Sequence, residues 1–277
     1  MKYFTSEKIS ENIIRIRDIC GVYQYLVIGD EKACLLDTGC GFGNLREYVE
    51  TLTDKDYFVI LTHGHVDHAS GASLFEDKEI YMNLLDKELL KVHTAFEIRK
   101  EHAKVVNETA EIPESEYSPL FNGELLPLTD GQEFDLGNVT IQAIHTPGHT
   151  QGMTMILIKE ERTILFGDGC GVSVLLLDEY ASSVSEYLNT LLTLKNYENQ
   201  YDYIIRNHGT GKSPKDLLDN VIECCKCVIN GTDDKYPARN IPIKVENAFF
   251  AKALKDNSTD RVDGKEGNIV YTLDKIK

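Results

Sequence analysis

The chain has 277 residues, 42% of them hydrophobic and 27% charged, a balance that supports one large packed domain with appendages. Lysine and arginine number 29 against 45 aspartates and glutamates, so the formal charge is 29 − 45 = −16, a field that repels phosphate backbones and anionic lipid and argues against nucleic acid or a membrane as partner. The opening "MKYFTSEKISENIIRIRD" has no apolar h-region and no window approaches the roughly 18 apolar residues of a membrane span, so a cytoplasmic location is expected.

Seven cysteines at scattered positions, in a chain large enough to fold without staples, are expected to be reduced thiols. The "ECCKC" run lies in a segment whose apolar residues fall at helical spacing, which predicts a helix with partly buried thiols rather than a metal knuckle.

In chain order, "NIIRIRDI", "GVYQYLVIG" and "KACLLDTG" read as strands of an antiparallel meander. "GNLREYVETL" follows as a helix, with Asn44 and Glu47 at capping-box spacing. "DYFVILTHGH" is a short buried strand that stops at a histidine cluster. From Leu84 to about Val106 the pattern is helical, and "NETAEIPESEYSPLFNGE" after it is expected to be irregular. Strands return in "LLPLTDGQEFDLGNVTIQAIHTPGHT" and "GMTMILIKEERTILFGD", broken by Asp-Gly and Leu-Gly turns. "EYASSVSEYLNTLLTLK" predicts an amphipathic helix with Ala181, Val184, Leu188, Leu191 and Leu192 on its buried face, leading into the strand "YDYIIRNHG". The reading gives one domain over residues 1–230, a helical lid insertion at about 84–125, and an appendage of unassigned structure over 231–277.

The stretch "ILTHGHVDHASGA" places His63, His65, Asp67 and His68 within six positions at the end of a buried strand. Imidazole nitrogen and carboxylate oxygen are ligands for zinc, iron or manganese, and a tight turn can aim alternating side chains at neighbouring points. Three further candidates stand at strand ends in glycine-containing turns: His149 in "HTPGHT", Asp168 in "LFGDGC" and His208 in "IIRNHG". Five histidines and two aspartates suit two metal ions with positions left for water.

The H-x-H-x-D-H motif, "TPGHT", the "GD" at Asp168, the late His208 and "LLDTG" at Asp37 resemble the metallo-β-lactamase superfamily, in that family's order, over roughly residues 10–210. The resemblance implies an α/β fold, a four-layer αβ/βα sandwich of two mixed β-sheets flanked by helices. It also implies a dinuclear centre in which His63, His65 and His149 hold one divalent ion, Asp67, His68 and His208 hold the other, Asp168 bridges, and Asp37 orients a ligand from behind. Zinc is the expected metal, with iron or manganese compatible. A histidine at position 65 departs from the flavodiiron reductases, and Asp168 departs from the zinc β-lactamases. The seven-residue set is similar to glyoxalase II, the acyl-homoserine lactonases and the transfer-RNA-processing nucleases, and the net charge speaks against the last.

Two cations held together lower the pKa of a shared water and polarise a scissile carbonyl. A metal-dependent hydrolase of a small thioester, lactone or ester is therefore expected, with Asp67 accepting the attacking water's proton and a small molecule as partner. A phosphodiesterase or nuclease of the same superfamily, and a non-catalytic metal or ligand sensor, are the alternatives. His145 is read as structural, and His93 and His102 as lid-helix residues beside Phe96, Tyr81 and Tyr117. "CGFGN" and "GDGCG" are read as tight turns, and Cys170 as a neighbour of the site rather than a ligand.

Overall fold

The computed structural model describes residues 2–277 apart from 107–111, 240, 242–244 and 257. Its first sheet runs in sequence order through β1 (Phe4–Lys8), β2 (Ile13–Asp18), β3 (Tyr23–Ile28), β4 (Ala33–Leu36), β5 (Tyr57–Ile60), β6 (Ile80–Met82) and β7 (Leu126–Pro127). β2 to β4 are the expected antiparallel meander, β1 joins its edge as a strand the sequence did not announce, and β4 through β7 pair in parallel. The second sheet contains β8 (Glu133–Asp135), β9 (Thr140–His145), β10 (Thr154–Ile158) and β11 (Thr163–Leu165). After β12 (Val174–Leu176) leaves for a third sheet, β13 (Tyr203–Ile205) and β14 (Lys212–Ser213) complete the second in the order β14-β13-β11-β10-β9-β8.

The strand sequences explain the layering. β4 is apolar at every position because both its faces are covered. Cys34 and Leu36 enter the core between the two sheets, while Ala33 and Leu35 enter the core on the opposite face with Leu45 and Val49 of helix α1 (Leu45–Glu50). β10 repeats the logic: Ile156 and Ile158 face the first sheet, and Met155 and Leu157 face α5 (Val184–Leu194) and α6 (Leu217–Asn230). The result is helix, sheet, sheet, helix. The cap of α1 is half of the expected box, with Asn44 accepting from the Glu47 N–H at 3.2 Å.

Two sequence expectations change. The buried face of α5 is Val184, Tyr187, Leu191 and Leu194, at spacings of three and four, and Leu192 is 45% exposed. Tyr187 wins the inward place because its ring fills the core while its hydroxyl donates to the Gly169 carbonyl at 2.6 Å. The tail read as an appendage supplies β15 (Tyr236–Pro237), β16 (Ala248–Phe250) and β17 (Ile269–Thr272). β17 pairs in parallel with β12, and Ile269 and Tyr271 are fully buried against α5 and α6. α6 carries Cys224 and Cys225 inward and Cys227 half-exposed, all seven cysteines being free thiols.

Between β5 and β7 lie α2 (Val66–Ala69), α3 (Lys87–His93) and α4 (Phe96–Val106), followed by a short 3-10 turn at Glu114–Glu116. Residues 107–111 of the stretch read as irregular lie outside the described residues. Tyr81 does not join this insertion; its ring packs on Phe58 and Phe134 at 5.7 and 4.8 Å. No helix among the described residues is long and apolar enough to cross a membrane.

Candidate metal centre

Asp37, the His63–His68 cluster, His149, Asp168 and His208 all follow the C-terminal ends of strands: β4, β5, β9, β11 and β13 respectively. The sheets therefore deliver their turns to one rim, where loops held by a rigid scaffold converge. Asp37 takes φ 64°, a left-handed conformation uncommon for a non-glycine residue and of the kind found at functional sites. Gly64 separates two histidines because α3 crosses directly over it. A Cβ at that position would stand 2.8 Å from the Leu90 nitrogen and 2.9 Å from the Asp86 carbonyl oxygen.

His63 Nε2 lies 3.1 Å from His65 Nδ1, which lies 2.9 Å from His149 Nε2. Four-coordinate zinc with about 2.0–2.1 Å bonds would hold such nitrogens about 3.3 Å apart, so this triad is the size of a coordination sphere. A second triad joins His68 Nε2 and His208 Nε2, 3.3 Å apart, to Asp67 Oδ2 at 3.8 and 3.4 Å. Asp168 stands between the two. Its Oδ2 is 3.7 Å from His149 Nε2 and 3.6 Å from His68 Nε2, and its Oδ1 is 3.3 Å from His208 Nε2.

The outward nitrogens decide which lone pairs face inward. His149 Nδ1 donates to the Leu175 carbonyl at 2.9 Å and His68 Nδ1 to Asp37 Oδ2 at 2.9 Å. His63 Nδ1 donates to the Thr62 hydroxyl at 3.0 Å, and that hydroxyl donates to Asp37 Oδ2 at 2.9 Å. Each of these rings therefore aims its other nitrogen at the centre, where its lone pair is available to a cation once any proton there has left. Nitrogen and carboxylate donors of this type fit a divalent transition ion.

Charge follows the same division. Burial, aided by neighbouring imidazoles, holds His63 and His65 well below the usual histidine range. Burial acts the same way on His68 and His208, but Asp67 and Asp168 outweigh it and raise both, His68 far above its ordinary value. Burial would raise Asp67, yet His68, His208 and His102 bring it down to about 2.

Several residues here escaped the sequence reading. Asn207 donates from Nδ2 to Asp37 Oδ2 at 3.0 Å, and the Thr62 N–H donates to Asp37 Oδ1 at 2.7 Å. Asp86, buried at the start of α3, accepts from the Gly64 N–H at 3.1 Å, the Thr150 hydroxyl at 2.6 Å and the Gly152 N–H at 2.6 Å. It ties the lid to both histidine loops. Thr62 and Asn207 each precede a histidine at a strand end, a signal available in the sequence; Asp86 looks like any helix-start acid. His93 stacks on His65, with centroids 4.9 Å apart and planes at 23°. His145 instead turns Nε2 to the Gln151 carbonyl at 2.8 Å. Cys170 is buried in the core beneath α5.

The family model for the metallo-β-lactamase superfamily matches residues 17–201, more than half of the chain. The probable polyketide biosynthesis zinc-dependent hydrolase of Bacillus subtilis is 26% identical over 209 residues, covering 72% of this chain and 80% of that one. The atrochrysone carboxyl ACP thioesterase of Aspergillus novofumigatus is 25% identical over 173 residues, 58% of this chain and 44% of that one. The chain spans about half the length of several curated relatives it matches. A metallo-β-lactamase from Pontibacter korlensis, 15% identical, superposes with a TM-score of 0.55 over 80% of this chain and 99% of its own, a likeness of fold. The matched model and the shared four-layer architecture establish that the chain belongs to the metallo-β-lactamase superfamily.

Proposed function

We propose that the chain is a metal-dependent hydrolase of a small acyl compound, a thioester, lactone or ester, with His63, His65 and His149 holding one divalent ion and Asp67, His68 and His208 the other. Asp168 serves both. The observation that carries this reading is the placement of one carboxylate within 3.3–3.7 Å of ring nitrogens from both triads.

Two divalent ions, when bound, supply a water of lowered pKa and an electrophile for the scissile carbonyl. The remaining work falls to side chains. Asp67, held near 2 and so ionised at neutral pH, accepts a hydrogen bond from the attacking water and passes its proton to the departing thiolate or alkoxide as the acyl–sulfur or acyl–oxygen bond breaks. Asp37 holds the His68 and His63 rings in the required tautomers. His93, stacked on His65, packs α3 of the lid against the first triad. The zinc-dependent hydrolase and thioesterase names of two relatives point to the same chemistry.

The test is initial rates of the metal-reconstituted protein on matched thioester, lactone, carboxylic ester and phosphodiester substrates, each with an Asp67→Ala control. Acyl turnover that drops in the control supports the reading. Turnover of the phosphodiester alone, or of nothing, overturns it.

A further inference from the structure

A second cluster of donor atoms lies where the β2–β3 turn meets the loop after β4. Asp18 ends β2, Cys20 sits in the turn that Gly21 closes at φ 84°, and Cys40 is flanked by Gly39 and Gly41 at φ 68° and 71°. A carboxylate oxygen of Asp18 and the sulfurs of Cys20 and Cys40 all lie within 4.8 Å of one another. The absence of a side chain at position 39 permits this approach, since a Cβ there would stand 2.8 Å from both Asp18 Oδ2 and Gln24 Nε2.

The polar groups around Asp18 are unevenly satisfied. Oδ1 accepts from the Cys20 and Val22 N–H groups at 2.9 and 3.0 Å. Oδ2 has only long contacts, 3.3 Å from the Cys40 nitrogen and 3.5 Å from Gln24 Nε2. Gln24 is fully buried, and its Oε1 has no hydrogen-bond partner among the described residues. Asp18 itself is 5% exposed, and no lysine or arginine among the described residues acts on it as a counter-ion. Burial, only partly opposed by the hydrogen bonds from Val22 and Cys40, pushes the Asp18 carboxyl above its ordinary range, so its charged form is disfavoured, a cost that a bound cation would offset.

From this juxtaposition we infer that Asp18, Cys20 and Cys40 form a metal site for a thiophilic divalent cation such as zinc, separate from the His/Asp centre. Two sulfur donors beside one oxygen select zinc or cadmium over magnesium or calcium. Binding forms two sulfur–metal bonds as two S–H protons leave to solvent, with no change in oxidation state. Solvent would complete the sphere. The site neighbours the main centre, since Gly39, next to Cys40, bridges to Ala69, the residue after His68.

The whole chain, stripped of metal and kept reduced, is titrated with cobalt(II). A thiolate-to-cobalt charge-transfer band in the near ultraviolet is expected in the wild type and is lost in both Cys20→Ser and Cys40→Ser. The visible bands of cobalt at the histidines persist in each variant and report that it has folded; Cys20, half-exposed in a turn, is the milder of the two changes. A band that survives in both variants belongs to the α6 cysteines and overturns the assignment. So does the absence of any band in fully reduced protein, or a Cys20–Cys40 disulfide in the native chain.

Discussion

His68 Nδ1 lies 2.9 Å from Asp37 Oδ2, and that one oxygen also receives the Thr62 hydroxyl at 2.9 Å and the Asn207 amide at 3.0 Å. A single buried carboxylate thus orients a histidine of each triad, His68 directly and His63 through Thr62. Asp37→Ala is expected to weaken metal binding about 10–100-fold. Chelator competition measures it, and an unchanged affinity would show that these hydrogen bonds do not set ligand orientation.

Asp86 connects the lid to the loops of His63–His65 and His149. Asp86→Ala removes three hydrogen bonds and leaves two backbone N–H groups without their acceptor. The expected loss is about 2–4 kcal/mol, from two orphaned buried donors at about 1–3 kcal/mol each. Urea denaturation of the metal-free protein reads it; a change under about 0.5 kcal/mol would mean that water replaces the carboxylate.

Gly64→Ala places a methyl 2.8 Å from the Leu90 nitrogen, against helix backbone rather than a side chain that can yield. The first turn of α3 must then shift from the His63–His65 turn. A stability loss of about 1–3 kcal/mol with weakened metal binding is expected, measured by thermal unfolding with and without metal.

The two triads should differ in their response to pH. In the metal-free protein burial keeps His63 and His65 unprotonated below the ordinary histidine value, so protons do not compete there near neutrality. Burial opposes but does not cancel the pull of Asp67 and Asp168 on His68 and His208, which therefore hold protons that a cation must displace. Affinity at the Asp67–His68–His208 triad should rise about tenfold per pH unit for each proton released, while His63 and His65 add no such dependence at theirs. Titration calorimetry at about pH 6 and about pH 8 distinguishes the steps; equal pH slopes at both triads would contradict the assignment of protons.

Much of this architecture was legible because strand ends and glycine turns announce themselves locally. His63, His65, Asp67, His68, His149, Asp168, His208 and Asp37 each follow an apolar strand, and the folding of two sheets onto one core gathers them. What stayed hidden depends on contacts between distant segments. Asp86 acquires its role only when α3 lands on Gly64, and Ile269 and Tyr271 become core only when β17 finds β12. Leu192 lost its inward place to Tyr187, which completes the three-and-four spacing of Val184, Leu191 and Leu194 and is missed when only aliphatic residues are placed on the buried face.

The most direct test of the central claim is Asp168→Ala, with metal at the histidines and thioester turnover measured on the same preparation. The residue faces His149, His68 and His208 at once. Metal and activity should fall together, the rate by about 10³-fold, or roughly 4 kcal/mol of transition-state stabilisation. Full metal occupancy with normal turnover in that variant would contradict a shared two-metal centre.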